Sequence, residues 1–112
     1  MNVEKLVIGW LGSRLQVPVH GDVPAERPAF FVTVERTGGP SHNVCYDYPV
    51  VAVQCWAPTR EQAADLMVSA DEAMRSMTDL NPVSKVTRNT YYNYPSSQGE
   101  PRYQGVYELV VG

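Results

Sequence analysis

The stretch PSHNVCYD, at residues 40–47, collects side-chain types that perform chemistry in many proteins. It contains Ser41, His42, Cys45 and Asp47. A nucleophile beside a histidine, or a group of metal ligands, can be built from such residues. The spacing matches neither CxxC nor HExxH, and sequence neighbours such as Ser41 and His42 do not automatically face each other. We therefore interpret the stretch as a polar surface loop.

Two further groups of polar residues have the composition of an acid–base site but not its setting. His20 and Asp22 stand in the stretch VHGD without evident partners. Asp65, Asp71 and Glu72 fall on the side of a predicted helix that we expect to face solvent. A general acid or base needs a pKa perturbed by burial or by a like charge, and the sequence indicates neither. It predicts no enzyme, no metal site and no cofactor.

The two cysteines are predicted to be free thiols. Cys45 and Cys55 bound the segment CYDYPVVAVQC, which has the composition of one extended strand. At about 3.3 Å per residue such a strand separates them by roughly 30 Å, whereas a disulfide needs Cα atoms within about 7 Å. Free thiols are typical of a reducing compartment. We expect Cys55 to be a buried packing residue rather than a reactive one.

Composition and charge exclude several classes of protein. The chain has 112 residues, 44% of them hydrophobic, which suits a single domain over residues 1–112 with its own core. The formal net charge is −3 and KVTR is the densest positive cluster, so binding to nucleic acid is not expected. No signal sequence is recognisable, and no apolar run approaches the roughly 20 residues that cross a bilayer. We expect a cytosolic chain with no membrane partner.

The first 15 residues, MNVEKLVIGWLGSRL, have the spacing of an amphipathic helix. Asn2 is a suitable N-cap for it. The apolar positions recur at helical intervals, at Val3, Leu6, Val7, Trp10 and Leu11. Prolines then rule out regular structure in the connector QVPVHGDVPAERP, where we expect only a short extended piece around residues 17–19.

Two strands are predicted around a long loop in the middle of the chain. AFFVTVERTGG alternates in polarity and stops at Gly38 and Gly39, and YPVVAVQCW resumes as a strand. The connecting loop TGGPSHNVCYDY exceeds the usual length of a hairpin loop. With its glycine hinge, we expect it to move in a free subunit and to become ordered on assembly. A static Ω-loop packed on its own domain is the alternative.

A second helix is predicted directly after the second strand. Thr59 and Gln62 have the spacing of a T-x-x-Q capping box. A stripe of small residues and methionines follows, at Ala63, Met67, Ala70, Met74 and Met77. We expect this stripe to pack on a sheet, and a methionine-rich recognition groove is the alternative. The helix should end near TDLNP.

The last third of the chain is predicted to form two more strands, VSKVTRNTYYNYP and RYQGVYELVV, joined by the loop SSQGEP. Its tyrosines either stabilise one another across the strands or form a protein interface. These tyrosines are Tyr91, Tyr92, Tyr94, Tyr103 and Tyr107. The predicted fold class is α+β, a mostly antiparallel four-stranded sheet with two helices packed on one face and extended loops. Its two open edges favour self-assembly.

Two stretches carry a resemblance to a known family. They are VPAERPAFFVTVERTGGP and, after a loop, YPVVAVQCWAPTREQAADL. The positions that carry it are Arg27, Pro28, Phe30, Arg36, Gly38, Gly39, Val51, Val53, Gln54, Trp56, Ala57, Thr59 and Ala63. In these residues, and along most of its length, the chain resembles the small tail terminator proteins of long-tailed bacteriophages and prophages, also described as head-tail joining proteins. The shared motifs are structural, and none is catalytic.

The resemblance implies a structural virion protein. In that family, a homo-hexameric ring caps the finished tail tube, ends its polymerisation and provides the surface on which the filled head docks. The implied partners are further copies of the chain, the tail tube protein and a head-completion or connector protein. The implied location is the tail or neck of the virion, with the host cytoplasm during assembly. DNA would pass through a negatively charged lumen without specific binding, so we expect no measurable duplex binding at physiological salt.

Tyrosine and arginine carry a disproportionate share of binding energy in protein interfaces. On this basis, and with the loop of the glycine hinge included, we predict contacts with neighbouring subunits or the tail tube. The predicted residues are Arg36, Gly38, Gly39, His42, Tyr48, Arg88, Tyr92, Tyr94, Arg102 and Tyr103.

Two alternatives remain open at the level of sequence. One is another ring of the phage neck, such as a head-completion stopper, which shares the assembly principle but contacts different partners. The other is a dimer of the same fold class that binds a small molecule, or acts on one, in a pocket on its tyrosine-rich face.

Overall fold

The computed structural model describes residues 2–39 and 46–112, which form two α-helices and a five-stranded sheet. The helices are α1 (Val3–Arg14) and α2 (Arg60–Arg75), and a single 3-10 turn, Met77–Asp79, follows α2. The strands are β1 (Val19–His20), β2 (Phe31–Gly38), β3 (Val50–Trp56), β4 (Val83–Asn93) and β5 (Arg102–Val111). They lie in the order β1-β2-β3-β5-β4. The predicted α+β class is confirmed.

The predicted number of strands is wrong by one, and the sheet is mixed. The short extended piece expected around residues 17–19 is strand β1, which pairs in parallel with β2 through Val19 opposite Val32. The Val32 amide also donates to the Pro18 carbonyl at 2.9 Å. After α1 the chain runs alongside β2 and parallel to it. Because prolines flank this stretch, only two residues form the paired strand. So short a strand has no alternation that a sequence pattern could reveal.

The local signals for α1 are confirmed. The Asn2 side chain accepts a hydrogen bond from the Lys5 amide at 3.1 Å, as an N-cap does. Four of the five predicted stripe positions are buried, and Leu6 is partly buried against the same core. The indole of Trp10 donates to the Ala73 carbonyl at 2.7 Å. This hydrogen bond fixes α1 against α2.

Helix α2 begins at the predicted cap, where the Thr59 hydroxyl accepts from the Gln62 amide at 3.2 Å. All five positions of the predicted stripe are buried, although Met77 belongs to the 3-10 turn rather than to the helix. Cys55 is fully buried, with its sulfur 3.9 Å from that of Met67. Burial raises the pKa of the Cys55 thiol, because a thiolate has no solvation there. Its predicted role in packing is confirmed.

In the described residues, both helices cover the same face of the sheet and no helix lies on the other face. Along β3, Val53 and Cys55 point into the core between sheet and helices. Gln54 and Trp56 therefore point to the opposite side, because successive residues of a strand alternate. We call that side the open face.

The long loop between β2 and β3 lies largely outside the described residues. Two predictions therefore concern residues 40–45, which are not described: the motion of the loop, and the chemistry considered for Ser41, His42 and Cys45. The glycine angles next to it are visible, since Gly38 and Gly39 have φ of 150° and 127°. A Cβ on Gly39 would lie 2.3 Å from the Tyr48 carbonyl oxygen. A glycine is therefore required at this position on two grounds.

Asp71 is buried, which contradicts the prediction that it lies on a solvated face. It is 3% exposed, whereas Asp65 and Glu72 are exposed as expected. Its carboxylate accepts hydrogen bonds from the Tyr107 hydroxyl at 2.7 Å and from Arg88 at 2.9 Å. Arg75 adds an ion pair at 3.2 Å. The flank of α2 that carries Asp71 faces β5 and β4, and these partners compensate the cost of burying the charge.

Tyr107 owes its position to the absence of a side chain at Gly105. A Cβ there would lie 2.9 Å from the Tyr107 ring and 2.9 Å from the Met67 methyl. Burial, together with the hydrogen bond to Asp71, raises the pKa of the Tyr107 hydroxyl. Both effects favour the protonated hydroxyl, which is the form that donates to Asp71.

Replacing Tyr107 by Phe is expected to lower the free energy of unfolding by about 1.5–3 kcal/mol, the usual contribution of a hydrogen bond to a charged group. Tyr103→Phe is the matched control, because Tyr103 lies half-buried on the same strand and its hydroxyl has no hydrogen bond among the described residues. We expect that control to change stability by less than about 0.5 kcal/mol. Urea denaturation measures both, and equal effects would contradict a structural role for the Asp71 contact.

The fold should lose stability in alkaline solution. The pKa values of Cys55 and Tyr107 are raised from 9.0 and 10.0, so the unfolded chain releases protons that the folded chain retains. Their stabilising contribution is complete below about pH 9 and decreases as the pH rises, by up to about 1.4 kcal/mol per pH unit and group. Denaturant titrations from about pH 7 to about pH 10.5 should show this slope, less steep in Cys55→Ala. If the free energy of unfolding of Cys55→Ala falls with pH as steeply as that of the wild type, the Cys55 thiol does not contribute to the loss of stability.

Candidate interaction surface

Four polar side chains form a ladder across the open face. Thr33 of β2 lies opposite Gln54 of β3, Gln54 opposite Gln104 of β5, and Gln104 opposite Tyr92 of β4. Directly opposed residues of an antiparallel pair have neighbouring side chains. The four residues therefore form one row perpendicular to the strands, which we call the polar ladder.

The hydrogen bonds of the polar ladder all run in one direction. The Trp56 indole donates to the Thr33 hydroxyl at 3.1 Å, and that hydroxyl donates to Gln54 Oε1 at 2.8 Å. Gln54 Nε2 donates to Gln104 Oε1, and Gln104 Nε2 donates to the Tyr92 hydroxyl, each at 2.7 Å. Each amide has thus donated one proton and accepted one. The Tyr92 hydroxyl, on a ring that is 37% exposed, ends the chain with its own proton still available.

A second row, of aromatic rings and guanidinium groups, begins at the same tyrosine. The ring of Tyr92 lies edge-to-face with that of Tyr94 at 5.6 Å, and the Arg102 guanidinium lies 4.7 Å from the Tyr94 ring. The same guanidinium is 4.9 Å from the Trp56 ring, and Arg27 approaches that ring at 5.6 Å. We call these five residues the aromatic–arginine row. Each contact of this kind contributes about 0.5–1.5 kcal/mol.

Trp56 anchors the row because it is the last residue of β3. It lies opposite Phe31 on one side and Arg102 on the other. The Phe31 and Trp56 rings stack at 5.2 Å with an angle of 12° between their planes, and both residues are buried. Arg27 and Arg102 thus pack on the ring of Trp56, which is held in place by its stacking on Phe31.

Two adjoining clefts open along the row, with volumes of about 500 and 270 Å³. Both are lined by Arg27, Trp56 and Glu100, and an ion pair between Arg27 and Glu100 runs between them. The hydrogen bond from Arg27 lowers the pKa of the Glu100 carboxyl. The pair is partly exposed, so water and salt weaken it and an incoming charged group can exchange with it.

Arg102 is oriented but not saturated. Its Nε donates to the Tyr94 carbonyl at 2.8 Å, and two rings hold its plane. Among the described residues, no acceptor is hydrogen-bonded to its terminal nitrogens. A guanidinium fixed in this way presents a fork of donors that matches a carboxylate or a phosphate.

The predicted contact residues separate into three groups. Tyr92, Tyr94 and Arg102 meet in the aromatic–arginine row, as described above. The second group lies at the other end of the sheet: Gly38 is opposite Val50, which is opposite Glu108. Since Glu108 is six residues along β5 from Arg102, the two groups are about 20 Å apart.

The second group is organised by an ion pair. Arg36 binds both carboxylate oxygens of Asp47, at 2.8 and 3.0 Å, and its side chain donates to the Gly38 carbonyl. The Arg36 amide donates to Glu4 of α1 at 2.9 Å. The charged hydrogen bonds raise the pKa of the Arg36 guanidinium. Tyr48 lies beside this group, against Gly39.

The third group faces the helices rather than the open face. Arg88 reaches Asp71 and also lies 5.0 Å from the Tyr91 ring. Tyr103 packs against the core. His42, the remaining predicted contact, falls outside the described residues.

Sequence reasoning missed Trp56 and Arg27 as members of the surface, and it missed the polar ladder altogether. Trp56 and Arg27 were visible only as positions of the family resemblance. The sequence did contain one signal for a polar open face. Gln54 and Trp56 are two residues apart at the end of a predicted strand, so their side chains point to the same side of the sheet. The ladder itself depends on β5 lying beside β3, which the chain order does not reveal.

No protein-family model matches the sequence, and a search of curated proteins finds no match either. Across the described residues no three His, Cys, Asp or Glu side chains group in a way that could hold a metal ion. In the same part of the chain, neither helix has the length and hydropathy needed to span a membrane.

Replacing Gln104 by Leu should destabilise the fold by about 1–2 kcal/mol, because Gln54 and Tyr92 lose their partners in a half-buried setting. The double variant with Gln54→Leu should cost less than the sum of the two single changes, since both ends of one hydrogen bond are then removed. Gln98→Leu, in the exposed loop, is the control. Strictly additive free energies of unfolding would show that the ladder does not act as a unit.

Proposed function

We propose that the chain is a tail terminator, a structural protein that caps the finished tail tube as a ring and provides the docking surface for the head. The observation that carries the proposal is the aromatic–arginine row on an open sheet face. Its residue types, Tyr, Trp and Arg, are those that dominate binding energy at protein interfaces. The resemblance in sequence to tail terminator proteins indicates the assembly in which such a surface would make contacts.

The β4 edge of the sheet is better suited to contacts through side chains than to the addition of another strand. Strand β4 is a long edge strand of 11 residues. Its register shifts twice, between Val83 and Lys85 and between Arg88 and Thr90. Irregularities and basic residues on an edge oppose regular pairing with another chain. Self-association therefore uses side chains of the open face next to this edge, where the aromatic–arginine row begins at Tyr92.

A ring subunit needs surfaces toward its neighbours and further surfaces along the ring axis. The molecule measures 42 × 25 × 25 Å, and the two groups of predicted contacts lie about 20 Å apart along its strands. The Arg36–Asp47 group has a fixed geometry of its own. We assign the row to contacts between subunits, and the Arg36–Asp47 end to the tail tube or to a head-completion protein.

The proposal extends to location and to DNA. The chain belongs to the tail or neck of the virion after assembly in the host cytoplasm. With a formal charge of −3 per copy, a hexameric ring repels phosphates at its lumen, which favours passage of DNA over binding.

The test is capping of purified tail tubes, with elongation of the tube and negative-stain images as measurements. Wild-type protein should arrest elongation and appear as a ring at one end. Tyr94→Ala should weaken capping by about thirtyfold, the effect of losing one interface residue worth about 2 kcal/mol. Its free energy of unfolding should fall by about 1–3 kcal/mol, because the ring makes two contacts within the row, and thermal unfolding checks that the variant is still folded.

Val23→Ala is the matched control, because Val23 is similarly exposed and is not a member of the row. It should cap tubes like the wild type. A wild-type protein that ignores tubes but binds the head connector would identify a head-completion stopper instead. A protein that binds neither, and forms compact dimers, would contradict a role in the phage neck.

A further inference from the structure

Helix α2 carries a ridge of four exposed residues on the side away from the core. They are Glu61, Asp65, Val68 and Glu72, at successive spacings of four, three and four. This spacing places all four on one line along a helix. Val68 is 46% exposed at the centre of the line. We call this line the acidic ridge.

The charges of the acidic ridge have no partner in the part of the chain that the structure describes. Among the described residues, no hydrogen bond or ion pair engages the side-chain carboxylates of the ridge. Asp71, one residue from the ridge, behaves oppositely because it points at the sheet. The ridge thus combines three available acceptor groups with one exposed aliphatic side chain.

The aromatic–arginine row offers the complementary groups. Among the described residues, neither the terminal nitrogens of Arg102 nor the O–H of Tyr92 donates a hydrogen bond. Between them lies the ring of Tyr94, which is 44% exposed and can cover an aliphatic side chain. Guanidinium and hydroxyl donors suit carboxylates, and an aromatic ring suits Val68.

The two surfaces also agree in length. Eleven steps along the helix at 1.5 Å each make the ridge about 17 Å long. Four contacts of 4.7 to 5.6 Å connect the members of the row, so its length is at most about 21 Å.

We propose that the acidic ridge of one copy docks on the aromatic–arginine row of the next copy. This proposal rests on the self-assembly proposed above and specifies its contact. The ridge lies outside the helix layer and the row lies on the open face, so the two surfaces are on opposite sides of the sheet. A contact between two different surfaces is heterologous, repeats from copy to copy, and closes into a ring when the rotation allows it.

Charge reversal on each surface tests this contact. Arg102→Glu places a negative charge in the row, whose other arginine, Arg27, is already paired with Glu100. Asp65→Lys with Glu72→Lys makes the ridge positive. Glu61 is left unchanged, because an acid in the first turn stabilises the helix. Each variant alone should self-associate at least about tenfold more weakly than the wild type in sedimentation velocity at low salt, because like charges then face each other.

Mixing the two reversed variants gives the decisive measurement. In an equimolar mixture the negative row of one variant meets the positive ridge of the other, and the remaining contacts keep the natural signs. Alternating copies should therefore restore association to within about threefold of the wild type. An even-numbered ring accommodates this alternation, and native mass spectrometry should find the two chains in equal numbers.

The controls match charge and position. Lys5→Glu is the control for the row, and Asp22→Lys with Asp79→Lys is the control for the ridge, since all three residues are exposed elsewhere. Both should associate like the wild type. Thermal unfolding identifies any variant that has lost its fold, and Arg102→Gln then replaces Arg102→Glu.

The outcomes separate this contact from the proposed function. If the reversed variants associate and cap tubes like the wild type, or if mixing restores nothing, the contact is wrong and the terminator proposal stands. If the wild type associates through this contact but never caps tubes, the contact stands and the function is wrong. A wild type that is monomeric with and without tubes overturns both. Binding of a single-stranded oligonucleotide that is lost in Arg102→Glu but kept in the ridge variant assigns the row to nucleic acid and overturns the contact.

Discussion

The arrangement of the whole molecule depends on one buried carboxylate, that of Asp71. It is held between helix and sheet by Tyr107 and by two arginines, and it determines which side of α2 faces the core. A rotation of the helix about its axis would separate Asp71 from all three partners and leave a buried carboxylate without compensation, which costs several kcal/mol of a total stability of about 5–15 kcal/mol. The Gly105 gap, which admits the Tyr107 ring, is the matching constraint from the sheet. The outward direction of the acidic ridge follows from this contact.

The opposite face of the sheet is constrained in another way. A helix packed on the open face would bury the polar ladder, in which linked hydrogen bonds run from Trp56 to Tyr92 but each amide has used only one of its two N–H donors. Linked hydrogen bonds of this kind hold their side chains in fixed rotamers, and fixed side chains lose little entropy when a partner binds. The open face is thus suited to a protein partner that brings acceptors to its edge, which is how the proposed contact uses it.

The sequence predicted what depends on local pattern and missed what depends on strand order. Caps at Asn2 and Thr59 and the apolar stripes located both helices, because such signals act within a few residues. Asp71 was misplaced because it lies at the border of the α2 stripe, where only the partners on β4 and β5 decide between water and core. The row was recognised in part, through its tyrosines and Arg102. The position of Trp56 beneath Arg102 could not be predicted, because it depends on β5 lying between β3 and β4.

Trp56 also links the two surfaces of the proposed ring. Cys55 and Trp56 are successive residues of β3, so one enters the core under α2 while the other supports the row on the open face. Three residues later Thr59 caps α2, whose outer side carries the ridge. So short a connection, braced by Pro58 and by the buried Asp71, leaves little freedom between row and ridge. In a heterologous ring the rotation from one copy to the next is set by the angle between the two contacting surfaces. The junction between β3 and α2 is therefore the part of this chain that would determine the number of copies in the ring.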